Sequence, residues 1–202
     1  MKTIVITGPS GSGKTYLSNR LSKLFNNSIV IKTDSYYRDN LFIRVLSIFL
    51  EDIYDRPISI KKNKLMNILR SINNKDSLIF FNDYDFKRKH SKQSKKRINY
   101  TQDNQLLILE GIFSHRLDLN YQKSINIVCV EEKEICFQRR LKRDQLERGR
   151  KKKEIKNKFN KSWHLFYQNI KSYLNGNKII IFNPVDQNSF DKLVDNLKKI
   201  NN

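Results

Sequence analysis

The sequence predicts an α/β domain with a mostly parallel sheet of about five strands, or slightly more, covered by helices on both faces. Short apolar runs rich in β-branched residues alternate along the chain with longer segments in which apolar residues recur at helical spacing. The polar residues Gly8, Asp34 and Glu110 stand at or just after the ends of three of the short runs. Because ligands of such sheets bind at the carboxyl ends of the strands, these residues mark the predicted functional edge.

Each predicted element follows from a local pattern. Strands are predicted for the apolar runs Lys2 to Thr7, Ile29 to Lys32, Ser77 to Phe81, Gln105 to Leu109, Ile125 to Val130 and Lys178 to Phe182. Helices are predicted where apolar residues lie three or four positions apart, from Tyr16 to Phe25, Asn40 to Tyr54, Lys64 to Ile72, Glu132 to Glu147 and Phe190 to Ile200. No internal repeat or Gly/Ser-rich linker divides the sequence, so residues 1–202 are predicted to form one domain.

The chain is strongly basic, since 40 Lys and Arg residues against 20 Asp and Glu residues give a formal charge of +20. Such a charge suggests an anionic partner, namely nucleic acid, a membrane surface or phosphate groups. A compositional bias towards A/T-rich codons accounts for it as well, because the sequence contains no alanine. Hydrophobic residues make up 38% of the chain, which is enough for a packed core and argues against wholesale disorder.

The cysteines and the apolar stretches indicate a reducing compartment. Cys129 and Cys136 form no CxxC pair and lie near no His cluster, so neither zinc nor a disulfide is predicted. The first apolar run is too short for a signal peptide, and the most apolar stretch, Leu41 to Ile53, is interrupted by Arg44 and Glu51. We therefore expect a soluble, cytoplasmic protein with no membrane partner.

The strongest motif is GPSGSGKT, from Gly8 to Thr15, which matches the pattern GxxxxGK[ST] between a predicted strand and a predicted helix. In this context the glycines let backbone N–H groups converge on the phosphates of a nucleotide. Lys14 is predicted to contact the β- and γ-phosphates, and the Thr15 hydroxyl to bind Mg²⁺. The residues expected to form this phosphate loop are Gly8, Pro9, Ser10, Gly11, Ser12, Gly13, Lys14 and Thr15.

Other motifs narrow the class of phosphate-loop protein. A GTPase would carry an NKxD motif and a transporter ATPase an LSGGQ-type signature, and the sequence contains neither. Motors and helicases generally need a longer chain than 202 residues. A kinase that phosphorylates a small molecule fits the length.

Two carboxylates are candidates for the chemistry. Asp34 follows the second predicted strand, where it could accept the proton of a substrate hydroxyl, although an Asp there could equally cap a helix. Glu110 ends the QLLIL strand as an acid that binds Mg²⁺ would, directly or through water, with an ordinary strand-end carboxylate as the alternative.

Most of the charge lies in two segments. Residues 87–97 carry seven positive and no negative charges, and residues 139–161 carry twelve positive and three negative charges, which together account for +16 of the +20. Within residues 139–150 arginine outnumbers lysine, and arginine suits bidentate phosphate contacts. We therefore predict a lid at about 139–161 that closes over the nucleotide, against the alternative of a solvated charged helix. The surplus lysines of residues 151–161 have no assigned role.

A series of short strings, in order, resembles the uridine kinase branch of the uridine kinase and phosphoribulokinase family from residue 1 to about residue 170. The strings are GPSGSGKT, DSYYR at 34–38, YDRP at 54–57, YDF at 84–86, LEGI at 109–112 and RD at 143–144 with ERGR at 147–150. The resemblance implies transfer of the γ-phosphate of ATP or GTP, with Mg²⁺, to the 5′-hydroxyl of uridine or cytidine in pyrimidine salvage. It also suggests a homo-oligomer.

The resemblance also implies residue roles. Asp34 would be the catalytic base, assisted by Lys14 and Arg143, and Thr15 and Glu110 would hold the metal. The residues implied to bind the nucleoside are Asp55, Tyr84, His90 and Arg140. Arg148 and Arg150 would belong to the lid over the nucleotide.

The chain departs from the family pattern around the nucleoside. Arg56 stands where a His is usual, His90 comes one position late, and the family's Gln after RGR is not evident in Lys151 to Phe159. Alternative acceptors are therefore nicotinamide riboside, pantothenate or a sugar phosphate. A nucleic-acid-binding ATPase is a third hypothesis, but residues 87–97 contain no aromatic side chain for base stacking, which disfavours nucleic acid as a partner.

Overall fold

The computed structural model describes residues 1–37, 60–85, 88, 90–101, 105–116, 124–174, 179–184 and 186–201. The strands are β1 (Lys2–Thr7), β2 (Ile29–Lys32), β3 (Leu78–Asp85), β4 (His90–Arg97), β5 (Leu106–Glu110), β6 (Ile125–Cys129) and β7 (Ile179–Phe182). The helices are α1 (Lys14–Leu24), α2 (Lys62–Asn73), α3 (Lys133–Arg148), α4 (Lys152–Leu174) and α5 (Gln187–Asn201), with 3₁₀ turns at Thr33–Tyr36 and Ser114–Arg116. None of the helices in these ranges combines the length and the apolar character that crossing a membrane would need.

Five strands form one parallel sheet in the order β2-β5-β1-β6-β7, which confirms the predicted fold class. β1 lies in the middle, with β5 and β2 on one side and β6 and β7 on the other. The order therefore reverses at β1, and a crevice opens at the carboxyl end of this strand. The residues that follow β1, β2 and β5 meet at that crevice.

Helices cover both faces of the sheet, as predicted. Alternation along β1 places Ile4 and Ile6 on the face that packs against α1 and α5, and Val5 on the opposite face. The second face packs against α2, part of α4 and the start of β3. In α1 the buried apolar residues are Leu17 and Leu21, whereas Tyr16 and Leu24, expected on the same apolar stripe, are exposed.

Strands β3 and β4 form a separate antiparallel hairpin, paired from Leu78 with Arg97 to Asp85 with His90. This corrects two predictions. The strand expected at Ser77 to Phe81 extends to Asp85, and residues 90–97 of the basic segment, for which no strand was predicted, form one. β4 has no apolar residue, so its pairing with β3 and not its own pattern makes it a strand.

Helices α3 and α4 pack against each other and follow in the chain after Gly149, which closes α3 with a positive φ of 62°. A small apolar cluster lies between them, built on Cys136, Phe137, Ile155 and Phe159. The sequence pattern did not reveal α4, although its buried residues are at helical spacing, because lysines dominate its first three turns. The helix predicted from Asn40 to Tyr54 lies outside the described residues.

Candidate active site

The phosphate loop connects β1 to α1 and is packed against the start of α3. Gly11 has a φ of +89°, and a Cβ on it would lie 2.2 Å from the carbonyl oxygen of Cys136, so only glycine fits this position. The backbone N–H of Ser12 donates to the oxygen of Pro9 at 3.2 Å, and Lys14 Nζ donates to the same oxygen at 3.0 Å. The lysine is therefore held back across the loop, with its ammonium group at the mouth of the nest formed by the loop.

Thr15 and Glu110 meet across the neighbouring strands β1 and β5. The hydroxyl of Thr15 lies 3.1 Å and 3.0 Å from the two carboxylate oxygens of Glu110. Glu110 is 5% exposed, and the parallel register pairs it with Ile6, two residues before the loop. The predicted metal residues therefore converge, and their hydroxyl and carboxylate oxygens are the ligand types that Mg²⁺ prefers.

Asp34 is brought to the same edge by the turn after β2. Thr33 Oγ1 donates to the backbone oxygen of Glu110 at 3.1 Å, which fixes this turn against the end of β5. Asp34 Oδ1 accepts the backbone N–H of Ile112 at 3.3 Å. A Cβ on Gly111 would lie 2.0 Å from Thr33 Oγ1 and 2.8 Å from Asp34 Oδ1, so the glycine after Glu110 makes room for the aspartate.

The electrostatic surroundings of Asp34 favour its acting as a base. Burial raises the pKa of Asp34 above its ordinary value and Glu110 adds to the rise, whereas Lys14, the N–H of Ile112 and Arg143 oppose it. The net pKa is raised. A carboxylate with a raised pKa is a stronger proton acceptor than an ordinary aspartate, provided that it stays ionised. The carboxylate of Asp34 is therefore close enough to Lys14, Glu110 and Arg143 for their charges to act on it.

Two arginines of α3 reach the phosphate loop. A terminal nitrogen of Arg143 lies 3.3 Å from the hydroxyl of Ser10, and a terminal nitrogen of Arg139 donates to the backbone oxygen of Gly11 at 3.1 Å. Arg139 also pairs with Glu131 at 3.3 Å. The middle of α3 is therefore bound to the loop by side-chain contacts, and it brings a guanidinium beside Ser10, a loop residue predicted to bind phosphate.

The arginines of the predicted lid converge on one carboxylate, Asp144, which has no exposed side-chain surface. The distances to its oxygens are 2.8 Å from Arg143, 3.1 Å from Arg150, 3.4 Å from Arg148 and 3.7 Å from Arg140. Burial acts to raise the pKa of Asp144, but the surrounding arginines outweigh it and hold the pKa below the ordinary value. One ionised carboxylate therefore organises four guanidinium groups, which leaves a surplus of positive charge beside the phosphate loop.

Arg140 differs from the other three because it is buried between α3 and α4. It is 4% exposed, and a terminal nitrogen lies 2.7 Å from the hydroxyl of Ser162. The structure thus gives Arg140 a contact that joins the two helices, and its role in substrate binding stays a prediction.

Two of the residues expected to bind the nucleoside, Tyr84 and His90, lie on the hairpin. Tyr84 is 6% exposed and lies edge-on to Tyr37, with ring centroids 5.5 Å apart, so one residue of the DSYYR string contacts one residue of the YDF string. His90 is exposed at the start of β4, opposite Asp85. Asp55 lies outside the described residues.

Sequence reasoning missed Asp144 as the centre of the arginine cluster, and it missed His115. His115 is 8% exposed, lies 2.9 Å from the hydroxyl of Thr7 at the end of β1, and contacts the rings of Phe166 and Tyr173. Burial lowers the pKa of His115 to about 4, so its imidazole is neutral at pH 7. Arginines at four positions around Asp144 were a usable sequence signal, but nothing in the local sequence pattern sets His115 apart.

A central parallel strand, a phosphate loop, a facing acid and an arginine-rich helix define a kinase of the phosphate-loop class. The family model of the phosphoribulokinase / uridine kinase family matches residues 3–190. The chain belongs to that family, which transfers phosphate groups.

Two relatives named uridine kinase support the assignment to this family. The uridine kinase of Haemophilus ducreyi is 32% identical over 155 residues, which covers 73% of this chain and 69% of the relative. The uridine kinase of Borrelia turicatae is 30% identical over 151 residues, covering 74% of this chain and 70% of the relative. A solved structure described as "a Possible Uridine Kinase from Bacillus stearothermophilus" superposes with a TM-score of 0.54 at 13% identity, covering 89% of this chain and 88% of that one, and so supports the fold alone.

Proposed function

We propose that this chain transfers the γ-phosphate of ATP or GTP to the 5′-hydroxyl of uridine or cytidine, as a cytoplasmic enzyme of pyrimidine salvage. The observation that carries the proposal is the convergence of Asp34, Lys14, Thr15 and Glu110 at the carboxyl ends of three adjacent strands, β2, β5 and β1. The names of the relatives support the nucleoside as acceptor. Cys129 and Cys136 are free thiols, which suits a reducing compartment.

The residues fit a bound nucleotide and Mg²⁺. The hydroxyl of Ser12 is buried in the phosphate loop and has no hydrogen-bond partner among the described residues, so a donor is available there for a phosphate oxygen. Thr15 and Glu110 supply oxygen ligands, and the described residues contain no cluster of three acidic, His or Cys side chains that would hold a metal without the nucleotide. When bound, Mg²⁺ would neutralise phosphate charge.

The proposed reaction uses the chain's own charges at each end of the transferred group. Lys14 and Arg143 would neutralise the charge that develops on the phosphoryl oxygens, and the backbone N–H groups of the loop would orient them. Asp34 would orient the acceptor hydroxyl in line and take its proton as the new O–P bond forms and the bond to the β-phosphate oxygen breaks. Nucleoside 5′-monophosphate and nucleoside diphosphate leave.

The acceptor would lie between Asp34 and the hairpin. The ring of Tyr84 packs edge-on against Tyr37, three residues after Asp34, and would contact the base while the ribose faces Asp34. Asp55 would bind the ribose hydroxyls, and His90 and Arg140 would complete the site. The clustered charge of Arg148 and Arg150 on Asp144 would cover the phosphates, so that residues 139–161 act as the lid.

An acceptor panel tests the proposal. The full chain is incubated with ATP or GTP, Mg²⁺ and one of uridine, cytidine, adenosine, nicotinamide riboside, pantothenate or a sugar phosphate, and the phosphorylated product is identified by mass spectrometry. We expect a pyrimidine nucleoside to give the highest kcat/KM. Turnover with another acceptor and none with uridine or cytidine would reject the proposed substrate while leaving the kinase assignment intact.

A further inference from the structure

One face of the β3–β4 hairpin combines an exposed aromatic ring with two basic side chains, Lys95 and Arg97. Phe80 is 53% exposed and pairs with Lys95, whose Nζ lies 5.5 Å from the centre of the ring. One pair further along, Leu78 is 43% exposed and lies opposite Arg97. The register therefore brings an aromatic residue of β3 and the basic residues of β4 onto one face.

The pairing of β3 with β4 brings an aromatic ring beside the basic segment. Residues 87–97 contain no aromatic residue, which disfavours nucleic acid, but the register of β3 places Phe80 directly opposite Lys95. On the other face of the hairpin Phe81 is half-buried, and Lys96 Nζ lies 5.5 Å from the centre of its ring. Within the described residues β4 pairs with no strand other than β3.

A cleft of about 290 Å³ lies between this face and helix α2. Asn67 and Ser71 of α2 and Asn82 and Gln93 of the hairpin line it together with the ring of Phe80, and the described residues around it include no carboxylate. Asn82 is 7% exposed, and its side-chain oxygen has no hydrogen-bond partner among the described residues. The cleft thus offers a stacking surface, amide donors and acceptors, and the ammonium group of Lys64.

We propose that this face of the hairpin, together with α2, binds single-stranded nucleic acid. Phe80 would stack on one base, the amides of Asn82 and Gln93 would meet its edge, and Lys64, Lys95 and Arg97 would contact flanking phosphates. The acids of the hairpin, Asp83 and Asp85, lie opposite Lys92 and His90 in the strand register, near the other end of the hairpin. Tyr36 also lines the cleft, and Asn82 Nδ2 donates to the backbone oxygen of Ser35 at 2.7 Å, so this surface adjoins the turn that carries Asp34. Its lining includes neither Asp34 nor Tyr84 themselves.

Amide groups in a concave cleft favour a base over a lipid headgroup, since a membrane surface would use the cations and the exposed apolar residues but not the recessed amides. A nucleic-acid-binding surface would bind an oligonucleotide, whereas a membrane-binding surface would bind anionic vesicles. Vesicles containing phosphatidylserine therefore serve as the second arm of the test.

The test is fluorescence anisotropy of a labelled oligouridylate of about 12 nucleotides, within the length that one binding module covers, over a range of KCl concentrations. Binding should weaken with salt, and Lys95→Gln with Arg97→Gln should make the slope of log K against log salt shallower by about 1.4, the value for two phosphate contacts. The charge-matched control is Lys198→Gln with Lys199→Gln in the last turn of α5, which should leave the slope unchanged.

Phe80→Ala should weaken binding by about 5-fold to 100-fold, because stacking on an aromatic side chain contributes at that level, and Phe80→Trp should restore it. Circular dichroism of each variant separates loss of binding from loss of fold. Absence of oligonucleotide binding, an equal loss in the α5 control, or capture of vesicles in place of the oligonucleotide would overturn the proposal.

Discussion

Asp34 depends on a glycine in another part of the chain. The N–H of Ile112 holds its carboxylate at 3.3 Å, and Gly111 leaves the space that Asp34 and Thr33 occupy. The LEGI string therefore has two roles at the site. Gly111 makes room for the proposed base, and Glu110 presents the carboxylate oxygens that contact the hydroxyl of Thr15.

Gly111→Ala should lower kcat by about 100-fold, because the added methyl group would lie 2.0 Å from Thr33 Oγ1 and would displace Asp34. ATP affinity should change little, since the phosphate loop is untouched. The control is Ser22→Ala in α1, whose hydroxyl donates to the backbone oxygen of Asn19 outside the proposed site. Equal losses of kcat in the two variants would contradict the role assigned to Gly111.

His115 makes stability depend on pH. Its pKa is lowered by burial from 6.5 to about 4, so the unfolded chain binds a proton between these values that the folded chain does not bind. The stabilisation that follows from a neutral, buried His115 is fully present above pH 6.5. It is lost as the pH falls towards 4, which lowers the free energy of unfolding by about 3 kcal/mol.

His115→Asn should remove that dependence. Urea unfolding of the wild type and of the variant, measured between pH 7 and pH 4, gives the two curves. We expect the wild type to lose more stability than the variant over this range, and parallel curves would show that His115 does not stay neutral in the folded protein.

At the scale of elements, α3 and α4 behave as one unit held by Asp144. Arg140 and Arg148 on α3 and Arg150 in the connection share this carboxylate, and Ser162 of α4 meets Arg140. The predicted lid is therefore a helical pair with an internal ion cluster, in which the same arginines that would bind phosphates are already ordered.

Asp144→Asn should reduce the free energy of unfolding by about 3 to 5 kcal/mol, because it leaves buried guanidinium groups without their counter-charge. Glu147→Gln, an exposed acid on the same helix, is the control and should cost less than about 1 kcal/mol. Trp163, the single tryptophan, packs on Phe159 of the small α3–α4 cluster and reports the unfolding by fluorescence. A loss as small as that of the control would mean that the cluster does not hold α3 and α4.

At the scale of the whole molecule, the central sheet and the phosphate loop could be predicted because each depends on a local pattern. β1 and β5 are apolar runs, and GPSGSGKT is contiguous. β4 could not be predicted, since its eight residues contain nothing apolar and only the pairing with β3 makes them a strand. The proximity of Asp34, Glu110 and Thr15 followed from strand ends, whereas the convergence of the arginines on Asp144 required the fold.

The proposed phosphate transfer is tested most directly by one comparison: single-turnover formation of uridine 5′-monophosphate from ATP by the wild type and by Asp34→Asn, with ATP affinity measured on both proteins. The account predicts product from the wild type and a loss of about 100-fold or more in the variant, at nearly unchanged ATP affinity, because only the proton acceptor is removed. Wild-type rates in Asp34→Asn would contradict the role of Asp34, and no uridine 5′-monophosphate from either protein would contradict the proposed reaction.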